Sequence, residues 1–182
     1  SHLELKRYFG FDELLSEANA SEVYKHCNTI LEQDSYSTQG LLTQMKVEVV
    51  CSTDDPIDSL DQHISFHKKG KDLGMYAAFR PDKAYAVDNP TTYKAYISSL
   101  GASAGFEINT YEKMLEALSI RIDYFHERGC RLSDHGLEQL YFFKENSYSI
   151  DYIFSQVLSG DILSTEKVNF FKYTKLLAVC KM

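Results

Sequence analysis

The chain has 182 residues, of which 44% are hydrophobic, and its formal net charge at pH 7 is -7. This length allows one sizeable domain with a hydrophobic core, and an acidic balance without any basic run argues against a nucleic-acid partner. No apolar stretch approaches the roughly 20 residues that cross a bilayer, and charges occupy the position of a signal peptide's apolar stretch, so we expect a cytoplasmic protein with no membrane partner.

The first third of the chain has helical patterns, and a helix is predicted to begin at Asn19, with Glu22 completing a capping box. The stretch KVEVVCST (46–53) is rich in β-branched residues and predicts the first strand. Pro56 suits the first position of a helix and Asp55 suits its N-cap. The sequence therefore predicts a strand, a tight turn and a helix in direct succession.

Two more strands are predicted after that unit, at MYAAF (75–79) and CRLS (130–133). Helical patterns separate and follow them. The predicted helices begin near Asn89-Pro90, near Asn109 with Glu112 as its capping partner, at 149 with an end near 158, and at Ser164 or Thr165. Strands that alternate with helices indicate a parallel sheet built from crossover connections.

Each predicted strand ends in polar, ionisable residues. In parallel α/β sheets, ligands bind at the carboxyl ends of the strands, so this coincidence is the first indication of function. The residues concerned are Thr53, Asp54 and Asp55 after the first strand, Arg80, Asp82 and Lys83 after the second, and Asp134 and His135 after the third.

The first two groups also have structural interpretations. Asp55 before a proline is typical of a helix cap, and Asp54 could be either structural or functional. Arg80 follows four apolar strand residues, and at the rim of a sheet its guanidinium is suited to bidentate binding of a carboxylate. The alternative role for Arg80 is an ion pair with Asp82 or Asp134.

Asp134 and His135 could form a simple Asx turn into Gly136, but their place at a strand end favours catalysis or substrate contact. His63 and His67 lie four residues apart and could face a metal together, yet no third ligand is near them in sequence. The four cysteines are scattered without a CxxC pair, so they indicate neither a zinc knuckle nor a disulfide framework. We therefore predict no metal site on this chain.

Four stretches together resemble uronate isomerase, the glucuronate or galacturonate isomerase of the amidohydrolase superfamily. They are HLELKRYFG (2–10), CSTDDPIDSLDQH (51–63), FRPDKA (79–84) and FHERGCRLSDHGL (125–137). The resemblance implies an α/β fold, a distorted (β/α)8 TIM-type barrel with helical insertions. It also implies an aldose-ketose isomerase of glucuronate catabolism, which interconverts D-glucuronate with D-fructuronate and D-galacturonate with D-tagaturonate.

The chain departs from a whole member of that family. The His-x-His pair on an early barrel strand and the later Asp-Ser-Arg motif are both missing, and a closed barrel needs roughly 250 residues. We therefore expect an internal piece with about three parallel strands, inactive alone, with a helical insertion segment at 1–45 and partial barrel units with helical additions at 46–182. Open sheet edges in such a piece predict self-association.

The resemblance also implies roles for single residues. Arg80 would grip the uronate carboxylate, and Asp134, with His135 beside it, would take part in ring opening or proton transfer. Asp54, Asp55 and Lys83 are further substrate-binding candidates. The complete enzyme would use a divalent metal, zinc or a similar ion, with its ligands outside this chain.

Two other functions remain open from the sequence. The chain could be a non-catalytic module that binds a sugar acid or mediates association. It could also belong to another metal-dependent hydrolase of the same superfamily, because motifs on either side of this segment distinguish those activities.

Overall fold

A computed structural model describes residues 2–69, 73–137, 139, 141–143 and 148–182, and the chain divides into two compact units, 1–49 and 50–182. The first unit is helical. It contains α1 (His2–Phe9), α2 (Ala20–Leu31) and α3 (Thr38–Gln44), with a 3₁₀ turn at Asp34–Tyr36. Asn19 is the N-cap of α2 as predicted, but the capping box is wrong, because its Oδ1 accepts a hydrogen bond from the Ser16 amide instead.

A two-stranded parallel sheet is formed by β1 (Val49–Asp54) and β2 (Gly74–Phe79). The first strand begins three residues later than predicted. Lys46 has φ 57°, in the left-handed region, and the amides of Lys46 and Val47 still bond back to carbonyls at the end of α3. The first residues that β-propensity assigned to the strand therefore belong to the end of α3.

The third predicted strand, 130–133, is wrong as a strand. It reduces to a single parallel bridge between Ser133 and Phe79. The amide of Cys130 bonds to the Phe125 carbonyl, so the start of the stretch belongs to the end of a helix. Its position is nevertheless the predicted one, because the Phe79 amide donates to the Leu132 carbonyl at 3.1 Å.

The predicted start of the next helix, at Pro56, is also wrong. Asp55 Oδ1 accepts from the Ile57 amide and Asp58 Oδ2 accepts from the Asp55 amide, so residues 55–58 form a side-chain-stabilised turn. The helix α4 spans Asp61–Lys68 and follows Leu60, which has φ 57°. Asp55 is thus a turn residue and not a helix cap.

The remaining helices are α5 (Pro90–Ala104), α6 (Tyr111–Glu127), α7 (Ile150–Ser159) and α8 (Thr165–Val179), with a 3₁₀ turn at Asp82–Tyr85 before them. Asn89 caps α5 as predicted, with Oδ1 accepting from the amides of Thr91 and Thr92. Thr110, one residue later than predicted, caps α6. Within the described residues, no helix is both long and apolar enough to cross a membrane.

The core of the second unit is an aromatic cluster between these four helices. Its rings come from Tyr93, Tyr111, Phe154 and Phe171, with centroids 5.9 to 6.4 Å apart. The last strand residue, Phe79, packs edge to face on Phe125 of α6 at 5.2 Å. This contact fixes the carboxyl end of β2 against the helical layer and so positions the residues that follow it.

Candidate functional site

The three polar strand ends of the sequence meet along one edge of the sheet. The amide of Arg80 donates to the Asp54 carbonyl at 2.9 Å, and the amide of Asp134 donates to the Phe79 carbonyl at 3.0 Å. Because the segments run parallel, the residues immediately after each of them lie side by side. The backbone thus places Arg80 between the other two strand ends.

The side chain of Asp134 is shared between two of these segments. Its Oδ2 lies 3.4 Å from Arg80 Nη1 and accepts a hydrogen bond of 3.4 Å from Thr53 Oγ1. Both groups are partly exposed, the Arg80 side chain by 37% and that of Asp134 by 45%. The two residues that sequence reasoning favoured for the site are therefore within reach of one small ligand.

Asp82 organises this edge, although the sequence predicted it only as a polar strand-end residue and a possible ion-pair partner of Arg80. Its Oδ2 accepts from Arg80 Nε at 2.7 Å, and its Oδ1 accepts from the Tyr85 hydroxyl. The Gly136 amide donates to both oxygens, at 3.2 and 3.0 Å. One carboxylate thus orients the arginine and ties the end of β2 to the turn after Asp134.

Gly136 leaves room for this close approach. A Cβ at position 136 would lie 2.6 Å from Asp82 Oδ2 and would also overlap Arg80 Nη2. The sequence Asp-His-Gly therefore does more than form a turn. Its glycine lets the backbone amide reach the Asp82 carboxylate next to the guanidinium.

The electrostatics of the cluster follow from these bonds. Burial alone would raise the pKa of Asp82, but the hydrogen bonds from Tyr85 and Arg80 outweigh it and hold that pKa below 3.8. Burial and the Asp82 carboxylate raise the pKa of Tyr85 well above 10. At neutral pH, Asp82 is therefore an anion and Tyr85 a neutral donor.

His135 lies beside the same group, with Nδ1 3.5 Å from the Tyr85 hydroxyl. Burial lowers its pKa below 6.5, and the Asp82 carboxylate opposes this shift only in part. The imidazole is consequently neutral at pH 7 and able to accept a proton. A neutral histidine next to a carboxylate and an arginine is suited to general-base chemistry.

The other three candidates lie on the β1 side of the edge. Asp55 Oδ2 is 3.3 Å from Lys83 Nζ, and Asp55 Oδ1 accepts from the Tyr96 hydroxyl at 3.0 Å. Asp54 accepts from Ser52 Oγ at 2.7 Å, and His63 Nε2 is 3.6 Å from its Oδ2.

A cavity of about 320 Å³ opens at this edge, and most of the candidate site residues line it. Its lining residues are Thr53, Asp54, Asp55, Asp58, Arg80, Asp82 and Lys83. The cavity carries both signs of charge, with arginine and lysine at its rim. It can therefore bind the acid group of a small polar ligand and hold that ligand near carboxylates. Asp134 and His135 are not lining residues of this cavity; they lie beside it, next to Arg80 and Tyr85 respectively.

The described residues do not fit a metal ion. His63 Nε2 lies 2.7 Å from Ser52 Oγ, and the ring of His67 packs on that of Tyr76 at 5.1 Å, so the two histidines do not converge. Within the part of the chain that the structure describes, no group of three or more histidine, cysteine or acidic side chains could hold a metal. No step of the chemistry is therefore assigned to a metal on this chain.

The fold and the site define the class: part of an α/β TIM-barrel enzyme with a polar pocket at the carboxyl ends of parallel strands. The family model for glucuronate isomerase matches residues 1–182. The chain therefore belongs to the glucuronate isomerase family.

Named relatives agree with this assignment. The chain is 43% identical over 182 residues to a uronate isomerase of Bacteroides thetaiotaomicron, covering all of this chain and 39% of the relative. It is 37% identical over 178 residues to one of Caldanaerobacter subterraneus, covering 97% of this chain and 38% of that relative.

A solved structure shows the same arrangement. The crystal structure of uronate isomerase from Thermotoga maritima matches 99% of this chain and 39% of its own, with a TM-score of 0.83 and 29% identity. The chain thus spans well under half the length of the relatives it matches.

Proposed function

We propose that this chain is the part of a uronate isomerase that supplies the carboxylate-binding arginine and a proton-transfer pair to the active site. The observation that carries the proposal is the contact of Asp134 with both Arg80 and Thr53, two residues that line a cavity of about 320 Å³. Family membership supplies the reaction class, an interconversion of D-glucuronate with D-fructuronate or of D-galacturonate with D-tagaturonate.

In this proposal the side chains have separate tasks. Arg80 binds the carboxylate of the sugar, with its guanidinium oriented by Asp82 through the 2.7 Å bond at Nε. Asp134 and the neutral His135 take part in ring opening and in moving the proton between the C2 and C1 carbons. Lys83 and the acids Asp54 and Asp55 contact the sugar hydroxyls from the β1 side.

The rest of the active site would come from outside this chain. We propose that residues 46–182 form consecutive barrel units and that the helical segment at 1–45 is an insertion into the barrel. Any divalent metal, zinc or a similar ion, would take its ligands from outside the described residues, and it would polarise the oxygens of the substrate. The isolated chain is accordingly expected to bind a uronate without turning it over.

The test is a calorimetric measurement of D-glucuronate binding to the 182-residue chain. Arg80→Ala is expected to weaken binding about 100-fold, because a charge-assisted bidentate contact is lost. Arg80→Lys is expected to weaken it about tenfold, because lysine keeps the positive charge but not the two parallel N–H donors of the guanidinium. Arg131→Ala is the control, because Arg131 is exposed and donates to the carbonyls of His126 and Cys130.

Two results would contradict the proposal. Absence of glucuronate binding would favour a structural or association module. Binding that Arg80→Ala leaves unchanged would remove the carboxylate role of this arginine. In the longer protein, the same Arg80 variants should reduce kcat/KM for glucuronate by similar factors.

We also propose that the isolated chain self-associates. Among the described residues, β1 pairs only with β2, and Val49 at its start is 53% exposed, so one strand edge is free to pair with another copy. Sedimentation velocity is expected to show dimers or larger species. A single monomeric species across the concentration range would rule this out.

A further inference from the structure

Lys175 of α8 is the most unusual charged residue of the second unit. It is completely buried, and its Nζ has no hydrogen-bond partner among the described residues. Nζ lies 5.3 Å from the centroid of the Tyr85 ring. A buried lysine without a partner is rare in folded proteins, because its charge is poorly compensated.

The surroundings of Lys175 belong to the candidate site. Tyr85 donates its hydroxyl to Asp82, and Asp82 in turn holds Arg80. Burial lowers the pKa of Lys175 to about 7, while the charges of Asp82 and of Cys180, on its own helix, raise it. From the turn after Asp134, His135 faces the same group, and its pKa is lowered partly by Lys175.

The charge balance of this cluster is unfavourable for an anionic substrate. Arg80 carries one positive charge, whereas Asp82 and Asp134 carry two negative charges between them. A uronate carboxylate would add a third negative charge and compete with Asp82 for the Arg80 guanidinium. Each carboxylate bound at Arg80 therefore increases the tendency of a nearby neutral amine to take up a proton.

We propose that binding of the substrate carboxylate at Arg80 is coupled to uptake of one proton by Lys175. The neutral amine of Lys175 accepts a proton from solvent and becomes an ammonium, which compensates Asp82 through the Tyr85 contact. Lys175 is in this respect a positioning residue, because it acts through Asp82 and touches no substrate. This inference rests on the proposed function, and its test separates the two.

A second cavity lies next to the residues around Lys175. It has a volume of about 200 Å³, and its lining includes Asp82 and Tyr85 as well as Lys172 and Leu176, which flank Lys175 in the sequence of α8. Solvent therefore reaches the side chains that contact Lys175.

The experiment is calorimetric titration of the chain with D-glucuronate at pH 8, in buffers of different ionisation enthalpy. An amine with a pKa of about 7 is about one-tenth protonated at this pH, so up to about nine-tenths of a proton can be taken up per ligand bound. Lys175→Met is expected to abolish the uptake. Lys172→Met is the matched control on the same helix, since Lys172 pairs with Asp88 at 3.1 Å, and it should leave the uptake unchanged.

His135→Gln separates the two groups that could accept the proton. With a pKa below 6.5, His135 is expected to contribute little at pH 8, so this variant should keep the uptake if it binds the ligand. Glucuronate binding without proton uptake would overturn the coupling and leave the proposed function standing. Uptake that survives in Lys175→Met and disappears in His135→Gln would assign the proton to His135 and also overturn it. Absence of glucuronate binding would overturn the proposed function, and the coupling with it.

Discussion

Replacing Lys175 with methionine is expected to stabilise the folded chain by about 4 kcal/mol at pH 7. Burial lowers the pKa of this amine to about 7 from the 10.5 of an exposed lysine, so folding at neutral pH removes a proton or buries a charge. Methionine has a similar length and no charge to desolvate. The gain arises because the buried amine has no hydrogen-bond partner among the described residues.

The pH dependence of this gain has a defined direction. Between pH 7 and about 10.5 the unfolded chain holds more protons at Lys175 than the folded chain, so the stability of the unmodified protein rises with pH. The advantage of Lys175→Met is therefore largest at pH 7 and below, and it shrinks as the pH approaches 10.5. Urea unfolding of both proteins at pH 6, 7, 8 and 9 measures this difference in unfolding free energy.

Lys172→Met provides the comparison on the same helix. Lys172 forms an ion pair with Asp88 near the surface, so its replacement should cost up to about 1 kcal/mol and show no such pH dependence. If Lys175→Met were neutral or destabilising across this range, the amine would have an ordinary pKa. The proton coupling proposed above would then lose its basis.

The expected gain bears on function, because a free-energy cost of this size is unusual at a position without a purpose. Buried groups with strongly shifted pKa values are concentrated at functional sites. Lys175 contacts Tyr85, which belongs to the hydrogen-bonded group around Arg80. The destabilising lysine is therefore found next to the candidate site and not elsewhere in the core.

The strand ends could be predicted from the sequence because they depend on local patterns. A short apolar run that stops at charged residues indicates the carboxyl end of a strand, and parallel strands bring such ends together. Arg80 and Asp134 follow two such runs, and in the structure Arg80 Nη1 lies 3.4 Å from Asp134 Oδ2. The strand limits were less accurate, since Cys130 bonds back to the end of α6 and 130–133 keeps only one bridge to Phe79.

The supporting residues could not be predicted from local patterns. Lys175 follows several polar residues of α8 and reads as an ordinary helix lysine, because nothing in the sequence shows that Tyr85 covers it. Asp82 could be predicted only as a strand-end residue and a possible ion-pair partner of Arg80, since its bond to the Gly136 amide joins positions 54 residues apart. Such contacts exist only in the folded chain.

Arg121→Met is expected to destabilise the chain by about 3 kcal/mol and to loosen the turn after β1. Arg121 projects from α6 and is 6% exposed. Its Nε donates to the Pro56 carbonyl at 2.5 Å and its Nη2 to the Asp58 carbonyl at 2.8 Å. These two charge-assisted bonds hold the turn that presents Asp55 to the cavity, and methionine would leave both carbonyls without them.

Arg131→Met is the matched control for this prediction. Arg131 also donates to two backbone carbonyls, those of His126 and Cys130, but it is exposed, so water can replace it and the cost should stay below about 0.5 kcal/mol. Urea unfolding measures both variants, and hydrogen exchange of the Ile57 and Asp58 amides reports on the turn. Equal stability losses in the two variants would show that burial of Arg121 adds nothing. Unchanged exchange at residues 57 and 58 in Arg121→Met would show that the turn, and with it the position of Asp55, is held by its own side-chain bonds.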